Sequence, residues 1–143
     1  EKETAYHTAT HIMLAGLRKM FGTQTVQKGS NITSERMRFD FNIDHKLTVE
    51  ELAELENFVN NAIQRKLEVT WQEIPFKQAI KMGAYGVHNA KDDELVKVYT
   101  IGDVDCQICG GPHVNNTSEL GHFKITKEES SSSGVRRIKA VLE

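Results

Sequence analysis

The sequence is poor in cysteine and proline and contains no long apolar run. Its two cysteines, Cys106 and Cys109, lie so close together that a bond between them would not brace distant parts of a fold, which argues against a secreted disulfide scaffold. No apolar stretch approaches the roughly 20 residues that a membrane-crossing helix needs. The first residues also lack the basic start and apolar core of a signal peptide. We therefore expect a cytoplasmic protein with no membrane partner.

The sequence also lacks a charge excess of either sign. Its 18 Lys and Arg residues stand against 20 Asp and Glu residues, which gives a formal net charge of −2. The chain as a whole therefore exerts no general electrostatic attraction on nucleic acid; we expect no DNA partner, and any RNA contact has to be local. With 143 residues, 38% hydrophobic and 27% charged, the composition is typical of one globular domain, expected over residues 1–143.

Two pairs of metal-binding residue types share one spacing. His7 and His11 are four positions apart in a segment with helical periodicity, which places both on one helix face. Cys109 and His113 repeat this interval far downstream. Either pair alone is more often an ordinary surface or core pair, but two such pairs separated by a long insert can form a tetrahedral zinc site. The sequence therefore predicts a zinc site held by these four residues.

The first helix is predicted over residues 4–21 as an amphipathic segment. Gly22, which follows, is suited to a left-handed cap. On a helical wheel Thr10 lies beside His7 and His11, and so next to any metal that they hold. The alternative is that Thr10 merely packs, which is the commoner fate of a single threonine.

Two more helices and six extended segments are predicted. Thr48 and Glu51 form a capping box before apolar residues at helical spacing, and Pro75 opens a short helix that Gly83 closes. The predicted strands are residues 24–29, 35–42, 69–74, 95–101, 121–126 and 135–142, and the predicted loops are residues 85–93 and 130–134. This order of elements indicates an α+β fold, with two layers in which the helices pack on one face of a largely antiparallel sheet.

Six short motifs occur in the order seen in the editing domain of alanyl-tRNA synthetase. They are His7-Thr8-Ala9-Thr10-His11, Gln27-Lys28-Gly29-Ser30, Arg38-Phe39-Asp40-Phe41, Gly102-Asp103, Cys109-Gly110-Gly111-Pro112-His113 and Gly134-Val135-Arg136-Arg137-Ile138. The chain resembles this domain over nearly its whole length. It is also similar to the free-standing AlaX-type relatives and, more distantly, to threonyl-tRNA synthetase. It lacks the glycine-rich barrel and the synthetase domains of longer relatives, so we expect either the smallest free-standing class or an excised domain.

The resemblance implies a zinc-dependent hydrolase that removes a wrongly attached amino acid, typically serine, from the 3′ end of a tRNA. The mischarged tRNA is thus the implied partner, and zinc the implied cofactor. The implied substrate-site residues are Gln27, Thr10, Ser30, Gly110 and Gly111, and the implied tRNA contacts are Lys28, Arg136 and Arg137. Thr10 is the residue expected to contact the serine hydroxyl. The two glycines allow the backbone to approach the substrate closely, and on an alternating strand only one of the two arginines can face a given groove.

Alternatives exist for the substrate and for the role of zinc. Pro112 stands where alanyl-type members usually carry threonine and resembles the threonyl type, so seryl-tRNA of threonine is the alternative substrate. Four protein ligands normally make a closed structural site, which leaves a non-catalytic, zinc-stabilised tRNA-binding module as the alternative function. Alternatively, one ligand is displaceable, and we expect this to be His113. Zinc can then activate water or anchor the amino acid.

Two further features complete the chemical interpretation. No carboxylate lies in the ligand motifs, so no general base is predicted, and Gln27 can orient water but cannot usefully take up its proton. Cys106 and Cys109 have the C-x-x-C spacing of a redox pair, but they lack the strand-then-helix context of that chemistry. Cys106 is therefore predicted to be a small buried thiol.

Overall fold

The computed structural model describes residues 1–86 and 89–143, which form three α-helices, seven β-strands and a short 3-10 helix. The helices are α1 (Lys2–Phe21), α2 (Val49–Gln64) and α3 (Phe76–Lys81), and the 3-10 helix is Thr117–Leu120. The strands are β1 (Gln27–Ile32), β2 (Met37–Asn42), β3 (Val69–Pro75), β4 (Leu95–Ile101), β5 (Asp105–Ile108), β6 (Phe123–Ser132) and β7 (Val135–Leu142). Within the predicted loop over residues 85–93, Val87 and His88 lie outside the described residues. None of the described helices is both long enough and apolar enough to span a membrane.

The strands pair into two antiparallel sheets. A four-stranded sheet has the order β1-β2-β7-β6, and a three-stranded sheet has the order β3-β4-β5. The predicted α+β class is confirmed, while the single predicted sheet is divided in two, because alternation along a segment marks a strand without naming its partner. β4 is the central strand of its sheet and lies between two apolar clusters, one with Val96 and Val98 and the other with Tyr99 and Ile101, which explains why its sequence is apolar on both sides. β5 was not predicted, since its four residues are too few to show a period.

Helix α1 is the central element of the larger core. It packs against α2, the 3-10 helix, β1, β2 and β5, and it is buried on almost every side between Ala5 and Leu17. The helix is therefore more completely buried than the predicted amphipathic pattern implied, because the surrounding elements leave it no solvated side between Ala5 and Leu17. Gly22 ends the helix with a φ of 113°, as expected of a cap glycine, although its ψ of 167° is extended rather than left-handed.

Helix α2 begins at the predicted capping box. The Thr48 hydroxyl accepts a hydrogen bond from the Glu51 backbone N–H at 3.1 Å, and the Glu51 carboxylate accepts one from the Thr48 N–H at 2.9 Å. The side that carries Leu55 and Val59 is buried against α1 and β6, while Glu54 on the opposite side is exposed, as predicted. The helix therefore covers α1 as well as the four-stranded sheet.

The four-stranded sheet presents one face to the core. Met37, Phe39 and Phe41 of β2 are buried, as their alternation predicted, and Ile138 and Ala140 of β7 lie beside them in register. The other face carries charged side chains, of which Arg38, Arg137 and Lys139 are half-buried and Asp40 is buried.

Three strands of this sheet differ in their bounds from the predictions, and the first of them, β2, begins two residues later than predicted, at Met37. β1 begins three residues later than predicted, at Gln27, and β6 continues to Ser132 because the serine run pairs its backbone with β7. Pairing uses only backbone groups, so a run of serines supports it as well as apolar residues do. The predicted connector over residues 130–134 is thereby reduced to a tight turn at Ser133 and Gly134, and Gly134 adopts a φ of 73°.

A buried ion pair joins β6, β7 and the segment before α2, and it provides a first prediction. Glu128 is 3% exposed and accepts hydrogen bonds from Arg136 Nε at 2.7 Å, from Arg136 Nη2 at 3.0 Å and from the Leu47 N–H at 3.2 Å. Burial opposes ionisation of Glu128, but the hydrogen bonds from Arg136 and Leu47 lower its pKa below the ordinary value. A lowered pKa stabilises the fold above the unfolded-state pKa, and this contribution is lost as the pH falls.

We therefore expect Glu128→Gln to lower the free energy of unfolding by about 1 to 3 kcal/mol at pH 7, because one charged partner of a buried pair is removed. The difference from the wild type should shrink below about pH 4. Urea unfolding at pH 7 and pH 3 measures both effects, and Glu54→Gln on the exposed side of α2 is the control. An equal difference at the two pH values would contradict the assignment.

Candidate metal centre and cavity

The four predicted metal ligands come together in space. His7 and His11 project from α1, Cys109 directly follows β5, and His113 lies in the loop beyond it. One ligand atom of each residue lies within 4.8 Å of the others, so the group can bind a metal ion. The Cys109 Sγ to His7 Nε2 distance of 3.6 Å equals the edge of about 3.6 Å that Zn–N and Zn–S bonds of about 2.1 and 2.3 Å produce in a tetrahedron.

Two of the histidines use Nδ1 for a protein contact and so keep Nε2 for a metal. His7 Nδ1 lies 2.8 Å from the carbonyl oxygen of Pro112 and therefore donates to it. His113 Nδ1 lies 2.9 Å from the Thr8 hydroxyl oxygen. Such outer partners fix the orientation and tautomer of metal-binding histidines. His113 Nε2 is buried and has no hydrogen-bond partner among the described residues, and a metal at this position would supply one.

Asp105 lies behind the third histidine, His11, whose buried Nδ1 has no hydrogen-bond partner among the described residues, and Asp105 was missed from the sequence. Its side chain is 1% exposed, and Oδ2 lies 3.6 Å from His11 Nδ1, an ion-pair distance. The Tyr85 hydroxyl donates to the Asp105 carboxylate, as does Gln107 Nε2 at 2.9 Å. Asp105, Gln107 and Cys109 are two positions apart, as residues on one side of a strand are, but this spacing does not identify His11 as the partner of Asp105.

The ligand group favours a thiolate surrounded by imidazoles. Burial by itself raises the pKa of the Cys109 thiol, but hydrogen bonds from His11, His113 and His7 lower it to about 3. Burial has the opposite effect on His11 and lowers its pKa, but Asp105 and Cys109 together raise that pKa to about 9. Burial lowers the pKa of His113. Three imidazoles and a thiolate are a donor set that suits zinc.

A cavity of about 670 Å³ opens beside this group, a volume within the usual range for small-ligand sites. Three of the four ligands line it, and among the described residues His113 does not. The predicted displaceable ligand is therefore the one that faces away from the cavity. Other lining residues are Arg18, Gln27, Lys28, Gly29, Tyr85 and Gln107. Gln27 Nε2 donates to the Ser30 hydroxyl at 3.2 Å, which leaves the amide oxygen of Gln27 as an acceptor.

Comparison with known proteins connects this site to tRNA synthetases. The family model described as "Threonyl and Alanyl tRNA synthetase second additional domain" matches residues 96–139, which include Cys109 and His113. The whole chain aligns with the alanine–tRNA ligase of Treponema denticola at 52% identity, and the alignment covers 24% of that ligase. It is 46% identical over 98% of its length to 23% of the Treponema pallidum ligase, and 49% identical over 97% of its length to 23% of the Borrelia garinii ligase.

The chain matches the second additional domain of alanyl-tRNA synthetase. It spans about a quarter of the length of these curated relatives. The predicted resemblance is thereby confirmed.

Thr10 does not reach the cavity. Its hydroxyl donates to the His7 carbonyl oxygen at 2.7 Å, the residue is 5% exposed, and it is absent from the described residues that line the cavity. Thr8, rather than Thr10, contacts one of the four candidate metal ligands, because its hydroxyl oxygen lies 2.9 Å from His113 Nδ1. At about 100° per residue, Thr8 and Thr10 flank the pair of His7 and His11 symmetrically. Only the packing of the His113 loop on one side of α1 distinguishes the two threonines.

The glycine pair of this domain has a structural role at one of its two positions. A Cβ atom on Gly111 would lie 2.6 Å from Cε1 of His7, so any larger residue would displace the ligand ring. Around Gly110, the described residues leave open space within 4 Å. The close approach predicted at Gly111 is therefore to His7, and the approach of substrate to either glycine stays a prediction.

The three predicted tRNA contacts lie in different places. Lys28 is exposed and lines the cavity. Arg137 donates to Asp40 from Nε at 2.9 Å and from Nη2 at 3.2 Å, on the charged face of the four-stranded sheet. Arg136 points to the other face, where Glu128 binds it. The alternation thus separates the two arginines as predicted: Arg136 lies on the core side of the sheet, while Arg137 lies on the charged side that also carries Arg38 and Lys139.

Proposed function

We propose that this chain is a zinc-dependent deacylase that hydrolyses mischarged tRNA, namely seryl-tRNA of alanine, in the cytoplasm. The observation that carries the proposal is the position of His7, His11 and Cys109 on the wall of a cavity of substrate size. A closed structural zinc site has no need of such an opening. The four ligands would hold the zinc ion, whose fit is supported by the buried Nε2 of His113 and by the thiolate character of Cys109.

Alanine tRNA is the better-supported substrate, because the relatives similar to this chain are named alanine–tRNA ligases. Pro112, the residue of threonyl character, does not weaken this choice. Its contribution to the site is a backbone carbonyl oxygen that accepts from His7, and a threonine would supply the same atom.

Hydrolysis of an aminoacyl ester needs a water molecule at the carbonyl carbon and stabilisation of the developing oxyanion. Zinc bound by these ligands would supply a Lewis acid for that step. Gln27 can accept a hydrogen bond from the ammonium or hydroxyl group of serine, and Lys28 at the rim can neutralise a phosphate of the tRNA terminus. Asp105 orients His11 and, since it does not line the cavity among the described residues, it acts on the ligand rather than on the substrate. Catalysis would then rest on positioning.

The deciding experiment measures release of labelled serine from seryl-tRNA prepared on alanine tRNA and on threonine tRNA. Zinc-loaded and chelator-treated protein are compared, with alanyl-tRNA as the correctly charged control. We expect zinc-dependent release from the alanine tRNA and little from alanyl-tRNA. Protein that holds zinc and binds tRNA but releases no serine would instead be the non-catalytic module.

Gln27 provides a prediction that separates substrate handling from metal binding. Gln27→Ala should lower kcat/KM for seryl-tRNA by about 10- to 100-fold, because a positioned hydrogen-bond acceptor is lost, while zinc content stays unchanged. Gln64→Ala at the exposed end of α2 is the matched control. Steady-state deacylation together with metal analysis tests the prediction, and unchanged kcat/KM in the Gln27 variant would remove this residue from the site.

A further inference from the structure

The charged face of the four-stranded sheet concentrates positive charge in a chain of net charge −2. Register places alternate residues of β2, β6 and β7 on the side opposite the core, and Arg36 precedes β2 with the same alternation. We name this set the outer face. Its members are the basic residues Arg36, Arg38, Lys124, Lys127, Arg137 and Lys139 and the acidic residues Asp40 and Glu129. The basic residues outnumber the acidic ones, so the local excess of charge is opposite to that of the whole chain.

Each carboxylate of the outer face is shared by two cations. Asp40 contacts Arg137 at 2.9 Å and Arg38 at 3.5 Å. Glu129 contacts Lys127 at 3.1 Å and Lys139 at 3.6 Å. Each trio therefore keeps a net positive charge, and its cations are held in place before any ligand arrives. Held cations lose less side-chain entropy when they bind phosphate than free ones do.

The outer face meets the cavity at β1. Residues 27–29 line the cavity, and a Cβ atom on Gly29 would lie 3.0 Å from Asp40 Oδ2 and 3.7 Å from Arg38 Nη2. Gly29 is thus the point at which one surface passes into the other, with exposed Lys28 beside it. The cations on β2, β7 and β6 span about 10 Å at the usual strand spacing of about 4.8 Å. This is enough for about three phosphates at the roughly 3.4 Å per charge of one duplex strand.

We propose that the outer face binds the phosphate backbone of the acceptor end of tRNA, and that the strand bearing the amino acid passes over Gly29 into the cavity. The inference rests on the proposed function and extends it, since it gives an acidic chain a local surface for RNA. An anionic membrane would also match the charge of this face, but continuity with a cavity of substrate size favours a nucleic acid whose end must enter that cavity.

The test uses the 143-residue chain with Lys127→Gln and Lys139→Gln combined. The charge-matched control combines Lys77→Gln and Lys81→Gln, two exposed positions on α3. Fluorescence anisotropy is measured at several salt concentrations with labelled alanine tRNA that carries no amino acid. We expect the outer-face variant to bind about 10-fold more weakly, with a slope of log K against log salt reduced by about 1 to 2. The control variant should bind as the wild type does.

Hydrolysis of a seryl ester of adenosine, which is too short to reach the outer face, is measured in parallel. The outer-face variant should show a raised KM for seryl-tRNA and an unchanged KM for the seryl ester of adenosine. Wild-type tRNA affinity and salt slope in this variant would overturn the inference, as would binding of phosphatidylserine vesicles in place of tRNA. If the wild type hydrolyses neither substrate while the outer-face variant loses tRNA affinity, the proposed function fails and the RNA-binding surface stands.

Discussion

Replacement of Cys109 by serine is expected to abolish stoichiometric zinc binding and to lower kcat/KM for seryl-tRNA by more than about 1,000-fold. The thiol of Cys109 has a pKa of about 3 because three imidazoles stabilise its thiolate. A serine hydroxyl has the same shape but stays protonated at neutral pH and is a poor zinc ligand.

Cys106 is the matched control for this prediction. It lies on β5 three residues earlier, and burial raises the pKa of its thiol rather than lowering it. Cys106→Ser should therefore keep both zinc and activity. Metal analysis by mass spectrometry and serine release on the same preparations test the pair. Full zinc content in the Cys109 variant would refute the ligand set, and loss of zinc in the Cys106 variant would make Cys106 a ligand.

Asp105→Asn is expected to have the second-largest effect, a weakening of zinc affinity by about 10- to 100-fold with a parallel loss of activity. The carboxylate faces three donors, namely Tyr85, Gln107 and the Nδ1 of His11. An amide has one acceptor oxygen and an NH₂ group, so it cannot accept from all three. His11 then loses the contact that keeps its proton on Nδ1 and its Nε2 turned to the metal.

Two measurements distinguish positioning by Asp105 from mere stability. Zinc affinity is measured by competition with a chelator, and the tautomer of His11 is assigned from nitrogen-15 NMR of the zinc-loaded protein. Asp103→Asn, two residues earlier in an exposed ion pair with Arg65, is the control. A variant that is less stable but keeps wild-type zinc affinity and the same His11 tautomer would contradict the positioning role.

Features encoded by neighbouring residues could be predicted from the sequence. β4 and β7 begin and end at the predicted residues, and the capping box of Thr48 and Glu51 forms as expected. Each depends on a short segment whose period or side-chain chemistry is complete in itself. The four residues of the candidate metal centre belong to the same class, because both of their pairs are local even though the pairs are far apart in the chain.

Features that depend on contacts between distant segments could not be predicted. Thr8 and Thr10 are equivalent on a helical wheel, and the arrival of the His113 loop on one side of α1 makes Thr8 the partner of His113. Asp105 shows no motif of its own, since its role requires His11 of α1 and Tyr85 of a separate segment to converge on it. The outer face likewise consists of charges that are scattered in sequence and adjacent only through strand register.

The sequence by itself thus determined the class of the fold, the four residues of the candidate metal centre and the similarity to alanyl-tRNA synthetase, because periodicity, spacing and motif order are properties of local segments. The tertiary structure alone decided the division into two sheets, the cavity beside His7, His11 and Cys109, the carboxylate behind His11 and the joining of the outer face to the cavity at Gly29. These features arise where segments far apart in the chain pack against one another, and the pattern within one segment carries no information about the partner that it will meet.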